Sequence, residues 1–239
     1  MAPPHGIIAP TMPKPADTNA TPAVQPLLPD LPRPAPWPRL ILGSTSVYRR
    51  ELLARLRLPF DVQAPEVDET PHPGEAPQAL ASRLARAKAD AVAAGLTDDV
   101  IVIGADQVAN LKGQCLGKPG HLAGARAQLQ AMRGQQLVFH TALCVLRPRT
   151  GHVALRVVDV TVQLRALSDA EIDAYLMLEQ PFDCAGSAKV EALGISLLHA
   201  VHSDDPTALV GLPLIATHQM LADAGLPVLQ ALAALAANR

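Results

Sequence analysis

Several residues of this chain have side chains and spacings suited to a charged ligand. Asp106 follows a wholly apolar run, Val100-Ile101-Val102-Ile103-Gly104-Ala105. Such a run predicts a buried strand with Asp106 at its carboxyl end, and open α/β sheets bind ligands outside those ends. A carboxylate there can hold a cation or serve as a general base, or it can be an ordinary loop or capping aspartate. Ser44-Thr45-Ser46 lies between a short strand and a helix start. Helix N-termini present unpaired N–H groups and a partial positive charge, which suit a phosphate. Arg49 and Arg50 follow in the first helical turn, where cations oppose the helix dipole and an anionic ligand would compensate for them. The blander alternative makes Ser46 an N-cap and leaves the arginines solvated. Glu66, Asp68 and Glu69 crowd one loop between prolines, a donor set for Mg²⁺ or Mn²⁺ if it is not simply solvated. Only five of the 20 basic residues are lysines. Two of them, Lys88 and Lys118, stand where each could direct a charge at phosphates or lie on the surface.

Together these residues fit hydrolysis of a phosphoanhydride in a nucleotide, by positioning and charge rather than covalent chemistry. Other chemistries are excluded. There is no GxGxxG and no HExxH. Residues 113–119 read GxxxGK followed by proline, whereas a P-loop needs four residues between its glycines and Ser/Thr after the lysine. Cys115, Cys144 and Cys184 show no CxxC spacing, so neither a disulfide framework nor a zinc knuckle is indicated, and a reduced cytoplasmic setting is expected. A net charge of −2 gives no broad basic footprint for nucleic acid. No stretch reaches the roughly 18 apolar residues that span a bilayer. The N-terminus lacks the basic start and apolar run of a signal peptide.

The elements that must position these groups follow from periodicity. Leu40-Ile41-Leu42 and Phe60-Asp61-Val62 read as strands, and residues 47–56 as a helix between them. Residues 77–95 repeat apolar positions at Leu80, Leu84, Ala87, Ala91 and Val92, an amphipathic helix with Lys88 beside its face. After the strand leading to Asp106 come a turn at Lys112-Gly113, a loop at 117–120 and a helix over 122–133. Strands near 136–147 and 153–165, with a turn near Gly151, read as an antiparallel hairpin. Ser168-Asp169-Ala170-Glu171 is a capping box opening a helix to Glu179. A strand over 195–198, a helix over 207–224 and a last helix after Pro227 complete the chain. Alternating strands and helices make the class α/β, with a mixed sheet. Twelve of the 23 prolines fall in the first 38 residues, so residues 1–38 are expected to be a disordered tail and residues 39–239 the functional domain.

Six ordered motifs carry a resemblance. They are Gly-Ser-Thr-Ser-Val-Tyr-Arg-Arg-Glu-Leu-Leu at 43–53, Pro-Glu-Val-Asp-Glu-Thr-Pro at 65–71, Gly-Ala-Asp-Gln-Val at 104–108, Gly-Lys-Pro at 117–119, Cys-Ala-Gly-Ser at 184–187 and Val-Gly-Leu-Pro-Leu-Ile at 210–215. From about Arg39 to Leu229 the chain resembles the Maf nucleotide pyrophosphatases, and most closely their 7-methyl-GTP branch. The resemblance implies an inosine-triphosphatase-like mixed α/β fold with two lobes around a central cleft. It implies metal-dependent hydrolysis of a nucleoside triphosphate to the monophosphate and diphosphate in the cytoplasm, and a homodimer. Asp106 is implied as proton acceptor, with Glu69 and Asp106 as metal ligands. Ser44, Ser46, Arg49, Lys88 and Lys118 are implied as phosphate-binding.

The family's base-specificity positions fall on Tyr48, Gln107 and Glu191. The branch acting on dTTP and UTP has arginine, threonine and glutamine there; the methyl-GTP branch has tryptophan, glutamine and glutamate. N7-methylguanine is cationic, so arginine would repel it, whereas an aromatic face attracts it by roughly 0.5–2 kcal/mol and a carboxylate can pair with it. Tyr48 and Glu191 therefore favour the methylated purine, although tyrosine is the weaker cation–π partner. The resemblance leaves two alternatives, a pyrophosphatase for dTTP, UTP or other modified nucleotides, and a nucleotide-sensing regulator of septum formation.

Overall fold

The computed structural model describes residues 37–237. The expectation of a disordered tail falls, apart from Trp37 and Pro38, outside the described residues. The chain opens with β1 (Arg39–Gly43), α1 (Val47–Ala54), β2 (Asp61–Gln63) and α2 (Pro77–Ala93). It continues through β3 (Val100–Leu111), β4 (Gln114–Leu116), α3 (Leu122–Met132), β5 (Gln136–Arg147), β6 (His152–Leu164) and α4 (Asp169–Glu179). It ends with β7 (Leu198–His202), α5 (Leu214–Asp223) and α6 (Val228–Ala237).

The sheet is mixed, as the hairpin pattern requires. Its order is β2-β1-β3-β5-β6-β7, with β4 paired to β3 alone. β1 runs parallel to β2 and β3, and every other pairing is antiparallel. The β3–β4 hairpin closes through Lys112 and Gly113, both at positive φ (52° and 89°), the conformation that a two-residue hairpin favours. β5 and β6 are long enough to run through two core regions. At one end α1, α5 and α6 cover the face carrying Leu40, Ile101, Ile103 and Leu143, and α2 covers the face carrying Ile41, Val102 and Cys144. At the other end α3 and α4 cover Ala109, Phe139, Val160 and Val162. These are the two lobes expected, joined by continuous strands.

Three expectations are corrected. Asp106 does not end its strand: β3 runs on to Leu111, because residues beyond Asp106 keep pairing with β5. What ends there is the parallel neighbour, since β1 stops at Gly43 opposite Gly104, while β4 begins only opposite Ala109. Residues 105–108 therefore have a strand on one side only. The strand expected at 195–198 is a 3-10 turn, Leu193–Leu197, with pairing delayed to Leu198. Gly194 folds back there onto Lys189, its N–H donating to the Lys189 carbonyl at 3.0 Å. The helix expected over 207–224 starts only at Leu214, because Gly211 at φ 122° and Pro213 cannot continue a helix through the preceding short turn.

The contact between α2 and β3 sets the position of the most buried charge. A Cβ on Gly104 would lie 2.2 Å from the Ala85 carbonyl oxygen and 2.6 Å from the Ala89 nitrogen. Only glycine against alanine allows this approach, and it places Lys88, between those alanines, over the strand two residues before Asp106. No single helix among the described residues is long and apolar enough to cross a membrane, and α5 and α6 meet at a bend of 76°. Gly104→Ala is expected to destabilise the fold by about 2 kcal/mol or more, since backbone atoms must move apart. Thermal or urea denaturation checks it.

Candidate active site

The open edge of β3 forms the floor of a cleft of about 670 Å³ between the lobes. The turn after β1, the acidic loop, the Gly117-Lys118 loop and the segment after α4 surround it. The ten residues that the resemblance implies for the site all line it: Ser44, Ser46, Tyr48, Arg49, Glu69, Lys88, Asp106, Gln107, Lys118 and Glu191, whereas Arg50 does not. Glu66 and Asp68, from the same acidic loop as Glu69, are not part of its lining. Asp68 instead turns its Oδ1 to the Thr70 N–H at 2.9 Å, closing the loop on itself.

The centre of the cleft is an ion triad. Lys88 is buried on α2, and its Nζ lies 2.7 Å from Asp106 Oδ1 and 2.6 Å from Glu69 Oε1. The sequence put Lys88 beside the apolar face of its helix; it lies within that face, with its ammonium reaching through to the cleft. Burial alone would raise the Glu69 pKa. The Lys88 hydrogen bond and charge, with Lys118 and Arg49, outweigh burial and hold the carboxyl below its usual range. Asp106 and Glu69 each use one oxygen on Lys88, leaving Asp106 Oδ2 and Glu69 Oε2 for a ligand. That donor set fits a divalent cation completed by substrate, because Mg²⁺ is commonly held by one or two carboxylates plus phosphate oxygens.

Beside the triad lies the helix start. Ser46 caps α1, its Oγ accepting from the Arg49 N–H at 3.4 Å, while Ser44 Oγ accepts from the Ser46 N–H at 3.2 Å. The first-turn N–H groups of Val47 and Tyr48 have no intrahelical partner, and both residues line the cleft. Arg49 is only partly exposed. It folds inward, donating from Nε to the Gly211 carbonyl at 3.0 Å and from Nη1 to Ser44 Oγ at 3.3 Å. Burial lowers its pKa from the ordinary guanidinium value, and the charges of Asp106 and Glu69 oppose that shift. Lys118 is exposed on the opposite rim.

The residues implied for base recognition line the same cleft. Burial, then Cys184, Asp183 and Glu191, raise the Tyr48 phenol pKa. Partial burial also raises the Glu191 carboxyl, helped by Glu179 and Asp183 and opposed by Lys189. Gln107 donates from Nε2 to Thr141 Oγ1 at 2.9 Å and to the Ala208 and Leu209 carbonyls at 3.0 Å, so its Oε1 is left to accept from a ligand. Cys184 lies 4.0 Å from the Tyr48 hydroxyl, and burial, with Asp183, pushes its thiol up to about 12.

Several residues that hold this site were missed in the sequence. Buried Asp205 accepts from Thr207 Oγ1 (2.8 Å) and from the Ile215 and Ala216 N–H groups (2.7 and 3.3 Å). It thereby caps α5 from nine residues upstream and braces the loop whose carbonyls hold Gln107 and Arg49. Gln128 on α3 accepts from Ser187 Oγ at 2.6 Å and donates to the Gly117 carbonyl at 3.0 Å, tying the two loops on either rim together. The local signal for Asp205 is the Asp-Pro-Thr turn pattern; for Gln128 there is none.

Residues 39–224 match the Maf-like protein family. The chain belongs to the Maf family. It is 60% identical over 193 residues to a 7-methyl-GTP pyrophosphatase of Albidiferax ferrireducens, covering 81% of this chain and 96% of that one. It is 59% identical over 192 residues to a 7-methyl-GTP pyrophosphatase of Thiobacillus denitrificans, covering 80% and 95%. A solved dITP/XTP pyrophosphatase of Mycobacterium abscessus aligns over 54% of this chain and 75% of its own at 16% identity, with a TM-score of 0.36, too slight a likeness to support an argument.

The acidic loop of this Maf protein is fixed by one further pair. Arg83, a turn and a half before Lys88 on α2, donates to both oxygens of Glu75 (2.7 and 2.8 Å) and to the Thr70 carbonyl at 3.0 Å. The hydrogen bond from Arg83 and that from the His72 N–H lower the Glu75 pKa from 4.5 to about 2. A carboxylate lowered on folding stabilises the folded state above its unfolded value, and that contribution disappears as pH falls through the folded value. The stability difference between wild type and Glu75→Gln is therefore expected to be present above pH 4.5 and to vanish by about pH 2. Urea midpoints measured across that range check it.

Proposed function

We propose that this protein hydrolyses 7-methyl-GTP to 7-methyl-GMP and diphosphate, clearing a modified nucleotide in the cytoplasm. The observation that carries the substrate reading is that an aromatic ring, Tyr48, and a carboxylate, Glu191, line the same cleft as Arg49 and Lys118. A cationic base is attracted by the first pair and a triphosphate by the second group. The identity to named 7-methyl-GTP pyrophosphatases supports the same substrate.

In this reading the triphosphate lies along the residue 44–49 turn, its charge met by Arg49, Lys118 and the first-turn N–H groups of α1. Lys88 holds Asp106 Oδ1, which leaves Oδ2 to accept a proton from the attacking water. Asp106 takes the proton as that water attacks the α-phosphorus, and diphosphate leaves with its charge already matched by fixed cations. Glu69 and Asp106 would hold a Mg²⁺ or Mn²⁺ ion, which supplies charge neutralisation at the reacting phosphate when bound. Gln107 Oε1 accepts from the base edge. A homodimer is part of the proposal on the family resemblance alone.

Asp106→Asn is expected to bind 7-methyl-GTP but to release diphosphate roughly 10²–10⁴-fold more slowly. Near wild-type turnover by that variant removes Asp106 from the mechanism. A panel of nucleoside triphosphates, methylated and not, assayed with Mg²⁺ and Mn²⁺, tests the substrate. A preference for dTTP or UTP overturns the reading, and tight binding without metal-dependent hydrolysis reverses it in favour of a sensor.

A further inference from the structure

A further positive charge stands over the ring of Tyr48, just outside the cleft lining. Lys189 follows the Cys-Ala-Gly-Ser segment, and its Nζ lies 6.0 Å from the centroid of the Tyr48 ring. It is held there rather than free. Nζ is 3.0 Å from Glu179 Oε1, in a pair whose side chains are 28% and 13% exposed. Glu179 is fixed in turn, its Oε2 accepting from the Leu193 N–H at 3.0 Å. The backbone is pinned as well: the Lys189 N–H donates to Tyr175 Oη at 3.1 Å, and Tyr175 Oη donates to the Ser187 carbonyl at 3.1 Å. The charge acts on its surroundings, opposing part of the rise that burial, with Glu179 and Asp183, imposes on the Glu191 carboxyl.

We infer that Lys189 sets how strongly the site favours a cationic base over its neutral counterpart, as a fixed positive charge beside the aromatic ring and carboxylate that the base must use. The inference rests on the substrate reading above. A lysine beside Tyr48 occupies part of the cation–π field of the ring and offsets the charge of Glu191. A methylated, positive guanine is penalised by that charge and a neutral guanine is not. The triphosphate is the same in both nucleotides, so any effect of Lys189 on phosphate binding cancels in their ratio. The residue thus tempers the preference that Tyr48 and Glu191 create, leaving room for neutral substrates.

The test is the ratio of kcat/KM for 7-methyl-GTP to that for GTP in wild type, Lys189→Met, Lys189→Gln and Lys189→Arg. Removing the charge is expected to raise the ratio about fivefold, the size of one partly screened charge pair at 6–8 Å. Lys189→Gln, which keeps a donor for Glu179, is expected to raise it likewise, and Lys189→Arg to leave it unchanged. A purely structural role lowers both substrates together and leaves the ratio where it was, which overturns the inference. A fall in the ratio overturns it too, because Lys189 would then be a donor to the methylated base. Either result beside a wild-type preference for 7-methyl-GTP leaves the substrate reading standing. A wild-type preference for dTTP overturns that reading and this inference with it.

Discussion

The site depends on one buried ammonium. Lys88 lies between Asp106 and Glu69, and burying that charge is tolerable only because two carboxylates meet it within 2.7 Å. Its position is set by backbone packing. Gly104 lets α2 approach β3 until Ala85 and Ala89 touch the strand, and the lysine between them reaches Asp106. One face of α2 thus carries both core and chemistry, and Arg83 extends the control by clamping the loop that brings Glu69 to the same ammonium. The acidic half of the cleft is thus an outgrowth of the hydrophobic core.

The other half is built on loops, and buried polar atoms do the work that strands cannot. Between β1 and β4 the edge of β3 has no partner strand, which leaves the space where ligand can lie. The loop facing that gap is held by Asp205 and Thr207, and it returns two carbonyls to Gln107 and one to Arg49. Across the gap, Tyr175, Ser187 and Gln128 fix the segment that carries Cys184, Lys189 and Glu191. Loops positioned by a scaffold are where binding residues concentrate, and their order here comes from satisfied, buried hydrogen bonds.

Much of the fold could be read locally. The α4 capping box forms with both of its hydrogen bonds, and the β5–β6 hairpin turns at Gly151 in the left-handed conformation. The 77–95 periodicity became a helix of 17 residues ending at Ala93. The reading failed where tertiary contacts outweighed local pattern. Ile195-Ser196-Leu197-Leu198 has the composition of a strand, yet Gly194 folds onto Lys189 and leaves Ile195 exposed. Residues 207–213 look compatible with the helix that follows, but their hydrogen bonds go to Asp205 and Thr207 instead.

The amino-acid sequence by itself pointed to the groups the cleft would contain: Asp106, Glu69, the lysines and arginine through residue type and spacing, and the Tyr48, Gln107, Glu191 set through the family resemblance that its ordered motifs carry. It also determined the class of fold, since hydrophobic period distinguishes helix from strand. Only the tertiary structure decided how those groups meet. That Lys88 is shared by two carboxylates, that Arg49 turns inward to Gly211, and that Lys189 stands over Tyr48 are contacts between residues 18 to 162 positions apart. Such pairings are selected by the close packing of α2 on β3 and by the need to satisfy buried polar groups, and neither constraint exists until the chain has folded.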